Sequence, residues 1–244
     1  MLASRILVHE RESVGSTQDE LRALAEAGAP AFTAVRADVQ HAGRGRRGRT
    51  WHAPAGTALL VSILLRPRRP AHELAALSLA GGVAAVECAR TFGADARLSW
   101  PNDIVCGRRK LCGVLAELGP ADSVLLGVGM NLSAQASDLP APDRLAPTSL
   151  LLETGSAPTP QVALIALVDA LRPLAAGFDA DGPPAIAARA RRLDALAGTD
   201  VELRLASGEV IAGSAAGIAD DGSILVRTPE GVRPYASGEV VRLT

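Results

Sequence analysis

Aromatic side chains are almost missing from this sequence, at 2% of its residues. Any core must therefore be aliphatic, built from Leu, Val, Ile and Ala. With 48% hydrophobic residues in 244, the chain can bury one large domain, or one large and one small. No stretch approaches about 18 uninterrupted apolar residues, so no membrane span is expected. The first ten residues, Met1 to Glu10, lack the apolar core of a signal sequence. Net positive charge is absent as well. At a formal charge of −1 there is no global field to draw the protein onto nucleic acid. Cysteine is scarce: Cys88, Cys106 and Cys112 are an odd number without metal-ligand spacing, which suits a reducing cytoplasm. The four histidines, His9, His41, His52 and His72, are scattered and make no zinc site.

What is present is concentrated in one segment. From Gly43 to Arg49, seven positions hold four arginines and three glycines, preceded by Gln40 and followed by Thr50-Trp51. Glycine lets a backbone approach a ligand closely, and arginine offers a planar fork of donors to phosphate or carboxylate. The combination reads as a clamp for an anion. Gly43, Gly45 and Gly48 also satisfy G-x-G-x-x-G, but that dinucleotide fingerprint requires a helix directly after the loop. Here Thr50–Gly56 holds Pro54 and leads into the apolar, strand-like Thr57–Leu65. A solvated basic loop or a nucleic-acid patch is the other reading of the segment alone.

Around the loop the pattern alternates strands and helices. Strands are expected at Arg5–His9, Phe32–Ala37, Thr57–Leu65 and Ala96–Ser99. A hairpin of Ile104–Cys106 and Leu111–Leu118 turns at Gly107–Lys110, and Ser123–Asn131 forms a further strand. Helices are expected at Glu20–Ala27, with Ser16 as its cap, and at Ala71–Phe92, where Gly81-Gly82 permits close packing. Residues Leu132–Pro147 read as loop, and Ser149–Glu153, Pro160–Phe178 and Pro183–Leu196 as helical. Beyond Gly198 the character changes to short strands, at Val201–Leu205, Glu209–Gly217, Ile224–Arg227 and Val232–Tyr235. The expected organisation is a catalytic domain over 1–197 and a small SH3-like β domain over 198–244.

Four motifs in order carry a resemblance to a known family. Gly43-Arg-Gly-Arg-Arg-Gly-Arg-Thr-Trp51, Trp100-Pro-Asn-Asp103, Arg109-Lys-Leu-Cys-Gly113 and Gly127-Val-Gly-Met-Asn131 resemble the signature of biotin protein ligases. Ser16-Thr17 and the terminal β domain match it too, so the resemblance covers nearly the whole chain. It implies an α+β fold, a mixed or antiparallel sheet packed with helices of the class II synthetase-like kind. It implies activation of biotin with MgATP to biotinoyl-5′-AMP, then transfer to one lysine of a biotin carboxyl carrier protein domain. Joining a carboxylate to an α-phosphate brings two anions together, so fixed cations are needed.

By that resemblance Ser16, Thr17, Gln18, Gln40, Arg44, Gly45, Arg46, Trp51, Lys110 and Gly113 line the biotin site. Arg44, Arg46, Asn102, Asp103 and Asn131 serve ATP, and Lys110, Arg44 and Arg46 are the catalytic cations. Mg²⁺ is expected to arrive with ATP rather than in a protein cage. The chain departs from the family in Ser99, where a lysine is usual, and in Cys112, where alanine is usual. Ser99 leads to the expectation of a raised KM for ATP. The ligase motifs begin at Ser16, leaving no helix-turn-helix expected before them and no direct DNA repression. A lipoate-type ligase and a biotin-binding protein without ligation remain as alternatives, and a homodimer stays open.

Overall fold

A computed structural model describes residues 6–141 and 144–242. Arg5, the expected start of the first strand, lies outside the described residues. The chain builds a large mixed sheet from β1 (Leu7–Val14), β2 (Thr33–Gln40), β3 (Ala58–Leu65), β4 (Ala96–Ser99), β5 (Asp103–Cys106), β6 (Arg109–Leu118) and β7 (Val124–Asn131). Their order is β1-β2-β3-β7-β6-β5-β4, and a two-residue β8 (Ala146–Pro147) joins β6. Among the described residues β1–β2 and β6–β8 pair in parallel, and the other neighbouring strands of this sheet pair antiparallel.

All eight residues of β3 are buried, because both faces of the sheet are covered. Leu59, Val61, Ile63 and Leu65 join the main core, while Leu64 packs with Leu21 and Ala25 of α1 (Thr17–Glu26) on the opposite face. A strand covered on both sides carries a continuous apolar run rather than an alternating one.

The main core lies between the sheet and α2 (Ala76–Thr91), α4 (Pro160–Asp181) and α5 (Pro183–Leu193); a short α3 (Leu150–Thr154) precedes α4. Helix α2 sits directly on the sheet. A Cβ on Gly81 would fall 2.7 Å from Leu126 Cδ1 and 2.9 Å from Val114 Cγ1, so the glycine pair sets the helix–sheet distance. Helix α4 is long and apolar enough by composition to cross a membrane, but Leu164, Leu167, Leu171, Leu174 and Phe178 bury its apolar stripe in this core.

A second, five-stranded antiparallel sheet follows: β9 (Asp200–Arg204), β10 (Val210–Ile218), β11 (Ile224–Thr228), β12 (Gly231–Tyr235) and β13 (Glu239–Arg242), in the order β12-β11-β10-β9-β13. Its buried face, with Val201, Leu203, Ala215 and Val226, continues the main core. Trp100 Nε1, just after β4, donates to Gly222 O at 3.0 Å, and Arg191 of α5 donates to Ile218 O at 2.6 Å, so the β10–β11 region is tied to the end of β4 and to α5.

The structure departs from the sequence expectations at element ends. Residues Ala71–Glu73 form a separate 3-10 turn behind Pro70, and α2 begins at Ala76. Helix α5 stops at Leu193, where extended Asp194 accepts the Leu196 N–H and closes a turn. The hairpin turn contracts to Gly107-Arg108, which places Arg109 and Lys110 inside β6. The segment read as loop carries β8, and β13 was not expected at all. All three cysteines are buried and free.

Candidate active site

The strands deliver their polar ends to one cavity of about 270 Å³ on the α1 side of the sheet. Ser16 caps α1 by accepting the Gln18 N–H at 3.3 Å. That cap points the first turn of the helix, buried Thr17 and Gln18, into the sheet. The Thr17 N–H and hydroxyl both donate to Gln40 Oε1, at 2.8 and 3.0 Å, and the hydroxyl also meets Ser62 Oγ at 2.8 Å. Gln40 ends β2 and Ser62 is the single polar residue of β3, so three elements share one polar node. Gln18 Nε2 donates to Leu115 O and Leu125 O, leaving Gln18 Oε1 buried without a partner.

The arginine segment folds as a tight loop over this node. Gly45 N–H donates to Arg49 O at 2.7 Å, Trp51 N–H donates to Gly43 O at 2.9 Å, and Arg44 bridges Thr50. Residues Arg46–Gly48 make a 3-10 turn with Arg47 at φ 57°. The loop ends by laying the Trp51 indole on the sheet. A Cβ on Gly129 would lie 2.6 Å from Trp51 Cε2, and one on Gly113 3.2 Å from Cζ3. Gly113 and Gly129 are cross-strand partners on β6 and β7, so a bare patch of backbone accepts the ring. Gly113 borders the cavity, with Trp51 and the Lys110 side chain close to it. Gly129 went unremarked, although glycine inside a strand often marks a close approach.

The loop arginines differ in how they are held. Arg44 reaches Asp19 at 2.8 Å and Glu117 at 3.3 Å; burial opposes its charge, but those carboxylates hold its pKa above the ordinary arginine value. Arg46 donates to Asn102 Oδ1 at 3.3 Å and, among the described residues, pairs with no carboxylate. Burial first, then the like charges of Arg47 and Arg49, hold its pKa below the ordinary value. Arg46 is thus a desolvated cation in want of an anion. Arg47 and Arg49 both pair with Glu239, at the start of β13.

On the far wall, Lys110 Nζ lies 2.7 Å from Asp103 Oδ1 and 5.7 Å from the Trp51 ring centre. Asp103 is also held by Arg144, which donates to Val240 O at 2.5 Å. Asn102 Nδ2 donates to Val114 O, and Asn131 Nδ2 to Thr148 O, each at 2.8 Å. Every residue expected at the site, from Ser16, Thr17, Gln18 and Gln40 through the loop to Asn131, borders this one cavity. Arg144 and Glu239 border it too, and nothing in their local sequence points to either. Ser99 does not border it. It is buried on β4, directly across from Asp103.

Residues 12–131 match the Biotin/lipoate A/B protein ligase family, and residues 198–243 match the Biotin protein ligase C terminal domain. The chain is 36% identical to a biotin–[acetyl-CoA-carboxylase] ligase of Paracoccus denitrificans over 84% of this chain and 88% of that one. The chain belongs to the biotin protein ligase family. Other biotin protein ligases support the assignment. The bifunctional ligase/repressor BirA of Bacillus spizizenii is 32% identical over 94% of this chain and 72% of its own. A biotin protein ligase from Aquifex aeolicus, solved in complex with biotin and ATP, superposes with a TM-score of 0.82 at 27% identity, covering 96% of this chain and 97% of that one.

Proposed function

We propose that this biotin protein ligase activates biotin with MgATP to biotinoyl-5′-AMP and pyrophosphate, then transfers biotin to a lysine of a carrier domain in a biotin-dependent carboxylase. The observation that carries the reading is the cavity itself. It joins a buried polar node, an indole wall and a set of cations in one space. Residues 1–197 would carry this chemistry, and 198–244 would brace the loop through Glu239. The three buried free thiols suit a reducing cytoplasm.

The polar node fits a ureido ring. Gln40 Oε1 is taken by Thr17, which leaves the amide NH₂ for a ligand carbonyl. Gln18 Oε1 is a buried acceptor without a donor, and a ureido N–H supplies one. Trp51 then covers the apolar ring and chain. Lys110 borders both the indole and Asp103, so its ammonium sits where an acyl chain would end and a phosphate begin. Arg46, desolvated and without a carboxylate partner among the described residues, supplies the fixed charge that stabilises the developing negative charge on phosphorus. Arg44, Asn102, Asp103 and Asn131 complete the nucleotide end, and Mg²⁺ enters with its nucleotide.

ATP–pyrophosphate exchange, run with biotin and separately with lipoate, tests the reading. Biotin-dependent exchange is expected. Exchange with lipoate alone would move the chain to the lipoate branch, and none with either would leave a binding protein.

A further inference from the structure

Lys110 is the only lysine in the chain; of the 25 lysine and arginine residues, 24 are arginine. The activity proposed above gives this composition a chemical meaning. An acyl-adenylate is attacked by an amine lone pair at its carbonyl carbon. The C–N bond forms, the C–O bond to phosphate breaks, AMP leaves with the electron pair, and the amine proton passes to solvent. A guanidinium carries no free lone pair at neutral pH. The exposed basic side chains of this protein are therefore inert to its own product.

The one ε-amine sits in the place where such an intermediate would form. Lys110 Nζ borders the cavity, 5.7 Å from the centre of the Trp51 ring. It is ion-paired at 2.7 Å with Asp103, a residue only 3% exposed and anchored from its other side by Arg144. In that pair the nitrogen is turned toward a carboxylate.

We infer that this chain is built to resist acylation by its own intermediate: its one ε-amine lies at the cavity, and Asp103 is the positioning residue that holds that nitrogen in an ion pair rather than presenting it to an acyl carbonyl. The inference rests on the proposed ligase reading for its biological sense. Its test does not need the enzyme to make the intermediate.

Chemically prepared biotinoyl-5′-AMP is added to the parent together with a lysine-rich bystander, serum albumin, and both are mapped by peptide mass. The albumin is expected to gain biotinoyl groups, and the parent none on any side chain. Arg108→Lys, at an exposed position outside the cavity, should gain one biotinoyl mass at residue 108. Asp103→Asn should gain one at Lys110, and Asp103→Glu should restore protection, which a merely structural role would not do. Label on Lys110 of the parent overturns the inference. So does an Arg108→Lys variant that stays unlabelled beside labelled albumin, since protection would then not come from the missing amines; this arm holds even if Asp103→Asn does not fold. An unlabelled Lys110 in folded Asp103→Asn removes the role given to Asp103. Pyrophosphate exchange on the parent is scored separately, so a failed ligase reading is not confused with failed protection.

Discussion

Arg49 and Glu239, 190 positions apart in the chain, form an ion pair that fastens the arginine loop to the last strand of the second sheet. The same carboxylate holds Arg47, at 3.3 Å, and stands 3.8 Å from Arg144. One acidic side chain thus anchors cations from two separate loops at the cavity rim.

Loss of that anchor should act on loop order rather than on chemistry. Glu239→Gln is expected to raise the KM for ATP roughly fivefold with little change in kcat, because partly exposed pairs contribute about 1 kcal/mol together. Burial works against the Glu239 charge, but Arg49, Arg144 and Arg47 hold its pKa below the ordinary 4.5. A depressed carboxylate contributes stability above its unfolded value and loses it as pH falls through the folded value. The melting-temperature gap between parent and Glu239→Gln should therefore be full at neutral pH and close below about pH 4.5. A gap that widens in acid would reverse the assigned sign.

Arg46 has no carboxylate partner among the described residues, so its removal should harm ligand retention more than the fold. Arg46→Gly is expected to release biotinoyl-5′-AMP and to label bystander proteins, with a melting temperature close to the parent's. Labelling confined to the carrier domain would show that Arg46 does not hold the intermediate.

Lys110→Ala should lower biotin-dependent pyrophosphate exchange by roughly 10²–10³-fold, the scale for losing one electrostatic donor. Lys110 lies in β6 and not in a turn, yet the fold should survive its loss, because Asp103 keeps Arg144. An exchange rate equal to the parent's would place the acyl–phosphate junction elsewhere.

Ser99 is the cross-strand partner of Asp103 and does not border the cavity. From its place in the sequence alone, a lysine there would change ATP affinity roughly five- to thirtyfold, by about 1–2 kcal/mol. Its burial reduces the expectation. Ser99→Lys should lower the KM for ATP by less than about fivefold and leave the Kd for biotin unchanged. A shift in biotin affinity would mean that residue 99 senses the other ligand.

Much of the site was legible because its residues are local. Gly43–Trp51 is a single loop, and Asn102, Asp103, Lys110 and Gly113 share one hairpin, so their chemistry and their proximity can be read together. The strands were legible for a related reason: β3 is apolar but for Ser62, and its burial on both faces leaves no ambiguity about its role. Glu239 and Arg144 were not legible. Each is an ordinary charged residue in its local sequence, and only the packing of the second sheet against the first brings them to the cavity. Strand β13 escaped notice for the same reason. It is four residues long, and its evidence is a ladder with β9 more than thirty positions earlier. The turn at Gly107-Arg108 was overestimated in length because charge, which marks Arg109 and Lys110 as turn-like, is also what a strand edge lining a polar cavity presents.

The indole of Trp51 rests on bare backbone at Gly113 and Gly129, and it belongs to the loop, not to the sheet. The hydrophobic half of the cavity is therefore portable. Were the loop to lift away, that wall would leave with it and expose peptide groups that offer a fused ring system little to adhere to. Capture of the vitamin and folding of the loop would then be a single event, and the observed affinity would be the intrinsic one scaled by how often the unliganded loop is already folded.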